Sequence, residues 1–110
     1  MTRSVLFDPA FRTSLRETLR WIAAHRPGLE VERLRAEVDR LTAHLGSFPR
    51  LGREVEVRGR SSVRVIPLRR LPYLVWYTFR PSARQGPVRL LLLLHEKQDR
   101  DRFDASLFEV

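Results

Sequence analysis

The spacing of hydrophobic residues in this chain changes once, near Phe48, and this change constrains the fold more than any other feature. Before Phe48, apolar residues recur every three to four positions, as in amphipathic helices. After it, apolar and polar residues alternate, as in strands with one buried face. The pattern predicts a two-layer α+β fold, with an N-terminal strand and an antiparallel helical hairpin packed on an antiparallel β-meander of three to four strands.

The first half of the chain predicts a strand over residues 4–7 and helices over residues 9–26 and 29–45. Asp8 is suited to cap the first helix, and a proline follows it at the first helical position. The apolar stripes of the two helices are Phe11, Leu15, Leu19 and Ile22, and Val31, Leu34, Val38, Leu41 and Leu45. Gly46 is predicted to follow the end of the second helix. The short connection between the helices makes them antiparallel.

The second half of the chain, over residues 54–95, predicts the meander. Alternation in one strand assigns its residues to two faces, with Tyr73, Val75, Tyr77 and Phe79 on one and Leu74 and Trp76 on the other. Residues 88–94 are almost entirely apolar, which predicts a central strand covered on both faces, with Leu92 buried. An acidic tail over residues 99–110 completes what we expect to be a single domain over residues 1–110.

Length and composition exclude several classes of protein. A chain of 110 residues can bury a core that needs no disulfide or metal to stabilise it. The absence of cysteine excludes disulfides and thiolate zinc sites. The longest purely apolar run, over residues 90–94, is far shorter than the roughly 20 residues that cross a bilayer. We therefore expect a cytoplasmic domain with no membrane span, no metal and no cofactor.

Positive charge is concentrated in the middle of the chain. The formal net charge is +8, and residues 50–89 alone carry ten arginines against two acidic residues. Such a local excess attracts a polyanion or an acidic protein. Aromatic residues interleave with these arginines, as in proteins that bind single-stranded nucleic acid, although the aromatic rings could equally form the core while the arginines are solvated.

Few residue patterns in the chain are typical of catalysis. P-loop, dinucleotide-binding and zinc-binding spacings are absent, and no serine lies in a nucleophile-elbow context. His25 and His44 fall at predicted helix ends, where the helix dipole favours a cation. His95 follows the central strand directly, so it is either a packed or capping residue or a candidate catalyst. Acid–base catalysis would also require a partner side chain within reach.

Several segments carry a resemblance: Val5–Phe7 leading into Pro9 and Ala10, Phe48–Arg53, Arg64–Pro67, Pro72–Tyr77 and Leu92–Asp99. In this order and spacing they resemble the RelE/ParE superfamily of type II toxins, and nearly the whole chain takes part. Such toxins are small basic proteins, and each is encoded beside an antitoxin that wraps and neutralises it. The resemblance implies a growth-inhibiting toxin whose partner is a cognate antitoxin.

One departure separates the branches of this superfamily. RelE-like and YoeB-like members cleave mRNA on the ribosome and resemble one another in an arginine directly after the tyrosine that Tyr73 matches, whereas this chain has Leu74 there. Segments 64–67 and 95–99 are more similar to ParE toxins, whose studied members poison DNA gyrase by binding it. The resemblance therefore implies a ParE-like toxin with DNA gyrase as its target.

Two alternatives stay open. The first is a RelE-like, ribosome-dependent mRNA endoribonuclease, whose partners would be the ribosome and mRNA. Its candidate catalytic residues are Arg64, Arg80 and His95. The second is an inactive module of the same fold that only binds antitoxin.

For a binding toxin, the candidate contacts to a target or a nucleic acid are residues of the basic meander. They are Arg58, Arg60, Arg64, Arg69, Arg70, Tyr73 and Arg84. We further expect the antitoxin to lay an acidic, partly helical segment over the helical hairpin and the sheet edge, because positive charge and open strand edges both recruit partners.

Overall fold

The structure, a computed structural model, describes residues 2–26, 28–57, 60–81 and 86–97. The elements are β1 (Val5–Phe7), α1 (Pro9–His25), α2 (Glu30–Ser47), β2 (Arg53–Val57), β3 (Arg60–Pro67), β4 (Tyr73–Thr78) and β5 (Val88–His95). This order confirms the predicted α+β class. The predicted acidic tail lies outside the described residues. Neither described helix is long and apolar enough to span a membrane.

The five strands form one sheet in the order β1-β5-β4-β3-β2. Strands β2 to β5 pair antiparallel with their neighbours in sequence, which confirms the predicted meander with four strands. β1 pairs in parallel with β5, where Val5 lies opposite Val88 and Phe7 lies opposite Leu90. The N-terminal strand therefore extends the sheet and brings the residues before it close to the residues before β5.

A side-chain cap begins α1, and a close backbone contact requires the glycine in the last turn of α2. The Asp8 carboxylate accepts a hydrogen bond from the backbone nitrogen of Ala10 at 3.0 Å, as expected of an N-cap. α2 continues to Ser47, so Gly46 lies in its last turn and not beyond it. A Cβ on Gly46 would lie 2.7 Å from the carbonyl oxygen of Arg3. The glycine is therefore required by the close approach of the N-terminal segment.

Both helices pack on one face of the sheet and form the main core there. The helices contribute Phe11, Ile22, Leu34, Val38, Leu41 and Leu45, and the sheet contributes Tyr73, Val75, Tyr77, Phe79, Val88, Leu90 and Leu93. Full burial of one such side chain is worth about 1.5–3 kcal/mol. The predicted helical stripes thus face the sheet, and the predicted tyrosine-containing face of β4 is the face that the helices cover.

A β-bulge in β5 determines the second face of the sheet. Trp76 lies opposite Leu92 and Tyr77 lies opposite Leu90, so Leu91 is an extra residue between two paired ones. The bulge places both Leu91 and Leu92 in the second apolar cluster, whose buried members are Val55, Val63, Val65, Trp76, Leu91 and Leu94. Leu92 is only half-buried, so the prediction that it is a fully buried core residue is wrong.

A cationic interaction site around Phe79

Three guanidinium groups surround the ring of Phe79 at the end of β4. The Cζ atoms of Arg3, Arg50 and Arg64 lie 5.2, 5.8 and 5.8 Å from the ring centroid. These distances are within the range of cation–π attraction. The ring itself is only 4% exposed, because the cations and the core cover it. We call these four residues the Phe79 cluster.

Arg64 is fixed by its own strand and by the loop that follows α2. It lies opposite Tyr77 in the register of β3 and β4. Its Nη1 donates hydrogen bonds to the carbonyl oxygens of Gly52, at 2.6 Å, and Arg50, at 3.3 Å. A charged donor bonded to backbone carbonyls is held more firmly than a solvated one. The guanidinium therefore has a defined position before any partner binds.

The loop between α2 and β2 is held by the hydroxyl of Tyr77. This hydroxyl donates to the carbonyl oxygen of Pro49 at 2.8 Å and accepts from the backbone nitrogen of Gly52 at 2.7 Å. The phenol is fully buried, and burial raises its pKa above 10. A Cβ on Gly52 would lie 2.8 Å from the Tyr77 ring and from the Val65 carbonyl oxygen. Only glycine lets the loop come this close.

Arg3 reaches the cluster because β1 joins the sheet. Its Nη1 donates to the carbonyl oxygens of Gly86, at 2.9 Å, and Arg80, at 3.3 Å. Its backbone nitrogen donates to the carbonyl oxygen of Gly46 at 2.7 Å. Arg3 is thus held in place by contacts to α2, to the residue after Phe79 and to the residues before β5.

The electrostatics of the Phe79 cluster favour an anionic partner. Within the described part of the chain, no carboxylate lies within ion-pairing distance of Arg50 or Arg64. Glu54 is the register partner of Arg64 on β2, yet it makes no ion pair with it. Three like charges around one ring repel one another, and an added carboxylate or phosphate relieves that repulsion.

The sequence-predicted contacts do not form one surface. Arg64 belongs to the Phe79 cluster, and the exposed Arg80 directly follows Phe79. Arg69 and Arg70 lie in the exposed turn between β3 and β4, near the end of the sheet that holds His95. Arg60 begins β3, and its backbone pairs with that of Val57 in β2. Arg58 and Arg84 lie outside the described residues.

Tyr73 packs inside the protein. It is 7% exposed, belongs to the helix-facing core, and meets the ring of His95 edge-on at a centroid distance of 5.4 Å. Burial raises the pKa of its phenol above 10. Its ring therefore offers little surface to a target or to a nucleic-acid base.

The candidate nuclease residues are divided between the two ends of β4. His95 lies opposite Tyr73, where β4 begins, and Arg80 lies seven residues further along the chain, beyond the end of β4. At about 3.3 Å per residue, the strand from Tyr73 to Thr78 alone separates these positions by about 16 Å. Arg64 is opposite Tyr77 and is therefore grouped with Arg80. The structure does not bring His95 together with the two arginines.

No local pattern in the sequence assigns Arg3, Arg50 and Phe79 to one site. Arg3 is distant in sequence from the others, and only the parallel pairing of β1 with β5 brings it there. The loop carries one usable signal, because Gly52, two residues after Arg50, is a glycine that neither a helix nor an alternating strand requires. Among the described residues, no group of three or more His, Asp or Glu side chains could hold a metal ion.

Comparisons with known proteins match this fold. The family described as "ParE toxin of type II toxin-antitoxin system, parDE" matches residues 5–100. No match was found among curated protein sequences. Among solved structures, a chain of the chromosomal ParDE toxin–antitoxin system from P. aeruginosa has a TM-score of 0.67 at 14% identity, covering 86% of this chain and 96% of that one.

A second solved structure shares the architecture. A chain of the RelBE2 toxin–antitoxin complex from Mycobacterium tuberculosis has a TM-score of 0.57 at 20% identity, covering 86% of this chain and 99% of that one. At these identities the two structures show the common fold, while the family match over residues 5–100 shows the family. The chain belongs to the ParE toxin family of type II toxin–antitoxin systems.

Proposed function

We propose that this toxin arrests growth by binding DNA gyrase, and that a cognate antitoxin neutralises it. The observation that carries the proposal is the Phe79 cluster, in which three guanidinium groups are held around one ring with no described carboxylate paired to Arg50 or Arg64. Such an arrangement suits binding to an acidic or phosphate-bearing surface. The family match and the resemblance to gyrase-poisoning members support the choice of target. Such a target places the toxin in the cytoplasm.

The geometry gives less support to the ribonuclease alternative. Cleavage of RNA by its own 2′-hydroxyl needs a base at that hydroxyl, an acid at the leaving oxygen and a cation at the phosphate, all around one bond. His95 lies beside the first residue of β4 and Arg80 lies beyond its last residue. Leu74, at the position where ribosome-dependent members have arginine, is half-buried opposite Leu94. A phosphate clamp is therefore missing where that branch has one.

The test combines growth arrest with a supercoiling assay on purified protein. Wild type should inhibit DNA supercoiling by gyrase and leave mRNA ends unchanged in cells. The double variant Arg50→Gln/Arg64→Gln should lose at least about tenfold in inhibition, as charged contacts at the centre of an interface do. The matched control is Arg12→Gln/Arg16→Gln, which removes the same charge from exposed positions on α1 and should retain inhibition.

Three results would decide against the proposal. Codon-phased mRNA cuts that disappear in His95→Ala would establish the ribonuclease instead. Equal losses in the two arginine pairs would show that net charge matters and the Phe79 cluster does not. No growth arrest at all would leave the inactive antitoxin-binding module.

A further inference from the structure

The face of the sheet opposite the helices is buried, although neither described helix packs across it. The buried members of its apolar cluster come from β2, β3, β4 and β5 and are between 2% and 8% exposed. Within the described part of the chain, Ala10 is the one helical residue that packs against them. Side chains on one face of a sheet stay in contact with water unless another layer lies on that face. The burial therefore requires a further layer.

Trp76 lies in the middle of this second face. In the strand register it is opposite Val65 on β3 and opposite Leu92 on β5. Trp76 is 3% exposed and Val65 is 2% exposed. An indole is too large for neighbours in its own sheet to enclose it from above. The covering layer therefore extends across several strands and is not confined to one edge.

One segment outside the described residues is long enough to form this layer. The gaps between the described ranges contain at most four residues each, and their ends are fixed by the elements on either side. The centres of β2 and β5 are three strand spacings apart, which is about 14 Å. The acidic tail, residues 99–110, follows β5 and would span about 18 Å as a helix.

The acidic tail also has the apolar pattern that a covering layer needs. Phe103, Leu107 and Val110 recur at intervals of four and three residues, which is the spacing of one helical face. Phe108 lies beside Leu107 and widens that face. Two phenylalanines, a leucine and a valine are side chains that gain free energy when they leave water. They therefore suit a surface of valine, leucine and tryptophan.

Charge favours the same segment. The strand register places two arginines on the second face, with Arg53 opposite Val65 and Arg89 opposite Thr78. Arg53 is exposed and Arg89 is half-buried. The tail carries four acidic residues against two arginines, whereas the chain as a whole has a formal net charge of +8. Opposite net charges attract the tail to the rest of the protein.

We propose that the acidic tail packs across the second face of the sheet, with its apolar side chains against Trp76, and forms a third layer of the fold. The occupant of this face is therefore a segment of the same chain. The inference does not rest on the proposed function. Arg64 is the register partner of Tyr77, which belongs to the helix-facing core, so the Phe79 cluster lies on the opposite side of the sheet.

Fluorescence of Trp76 reports whether the face is covered. The chain has two tryptophans, so replacing the exposed Trp21 by phenylalanine leaves Trp76 as the single indole. In that background, Phe103→Ser/Phe108→Ser should shift the emission of Trp76 to longer wavelengths. Quenching by acrylamide should rise at least about threefold, because the ring becomes accessible when its apolar cover is lost.

The control variant removes exposed apolar side chains that lie outside this face. Leu29→Ser/Phe48→Ser should leave the emission and the quenching of Trp76 as they are in the background. Circular dichroism verifies that both variants keep their secondary structure. In the unsubstituted chain, NMR should show nuclear Overhauser contacts between the indole of Trp76 and the phenylalanine rings of the tail. This measurement needs no variant, so it remains decisive if a substitution impairs folding.

Three results would overturn the inference. Unchanged quenching in Phe103→Ser/Phe108→Ser would show that the tail does not cover Trp76. Absence of Overhauser contacts between Trp76 and the tail would show the same. A dimer in analytical ultracentrifugation whose dilution exposes Trp76 would assign the face to a second copy of the chain. Gyrase inhibition is not a readout of this experiment, so the proposed function and this inference fail separately.

Discussion

The hydroxyl of Tyr77 and the backbone nitrogen of Gly52 lie 2.7 Å apart, so a fully buried strand residue holds the loop that carries Arg50. The same hydroxyl donates to the carbonyl oxygen of Pro49. One oxygen thereby satisfies two backbone groups of an exposed loop from inside the core. The packing of the sheet and the position of the cations are coupled through this contact.

Replacement of Tyr77 by phenylalanine tests that coupling. Tyr77→Phe leaves the buried nitrogen of Gly52 without its partner, and such a loss costs about 1–3 kcal/mol of unfolding free energy. Urea denaturation measures the change. Tyr73→Phe is the matched control, because the described residues give its hydroxyl no hydrogen bond, and it should cost less than about 0.5 kcal/mol. Equal losses in the two variants would contradict the role of the Tyr77 hydroxyl.

Stability should fall at alkaline pH. Burial raises the pKa of Tyr77 and of Tyr73 above 10, so the folded chain binds these phenolic protons more tightly than the unfolded chain. The resulting stability is present below about pH 10 and is lost as the pH rises through the higher folded values. From about pH 8 to 11, the unfolding free energy of wild type should fall as the pH rises. That of Tyr73→Phe/Tyr77→Phe should fall with a smaller slope. Identical slopes would show that these phenols are not the cause.

An acid-sensitive contact joins α2 to the turn after β3. Glu37 Oε2 accepts from Arg40 Nη2 at 2.8 Å and from the backbone nitrogen of Arg69 at 3.3 Å. The hydrogen bond from Arg40 is the main cause that lowers the pKa of Glu37 below 4.5. Its contribution is therefore present above that value and is lost as the pH falls through the folded pKa.

Glu37→Gln should for this reason reduce the loss of stability on acidification. Thermal unfolding between about pH 5 and pH 3 measures it. Glu32→Gln, at an exposed position on the same helix, is the control and should behave as wild type does. A steeper acid loss in Glu37→Gln than in wild type would contradict the assignment.

The bulge in β5 predicts that truncating Leu90 and truncating Leu92 cost unequal amounts of stability. Leu90 is fully buried in the helix-facing core, so Leu90→Ala should cost about 2–5 kcal/mol. Leu92 is half-buried, and Leu92→Ala should cost less than about 2 kcal/mol. Chemical denaturation of both variants compares them directly. A larger loss at Leu92 would place the bulge elsewhere in the strand.

Local signals in the sequence predicted the elements well, because caps and periodicity are local. Asp8 caps α1 as expected, and the alternation in β4 separates Tyr77 from Trp76 correctly. The exposure of Leu92 was missed because a bulge is a property of a strand pair and leaves no mark in one strand's own pattern. Alternation also shows which residues share a face of a strand, but it does not show which face another layer covers. Tyr73 was therefore predicted as a contact to a target, whereas the helices bury it.

The site was harder to predict than the fold. Arg64 was among the predicted contacts, but Arg3 and Arg50 come from segments that only the tertiary structure joins. Charge density along the chain suggested one basic surface, whereas strand direction sends Arg69 and Arg64 toward opposite ends of the sheet. The pairing of the strands therefore determines which arginines lie in the same site.

The parallel pairing of β1 with β5 has a consequence during translation. Val5 is synthesised well before its strand partner Val88. Arg3 likewise donates to Gly86, so it cannot take its place in the Phe79 cluster until β5 has left the ribosome. A nascent or prematurely terminated chain that lacks β5 therefore carries an incomplete cluster, and the cationic site forms only after the last strand of the sheet has been made.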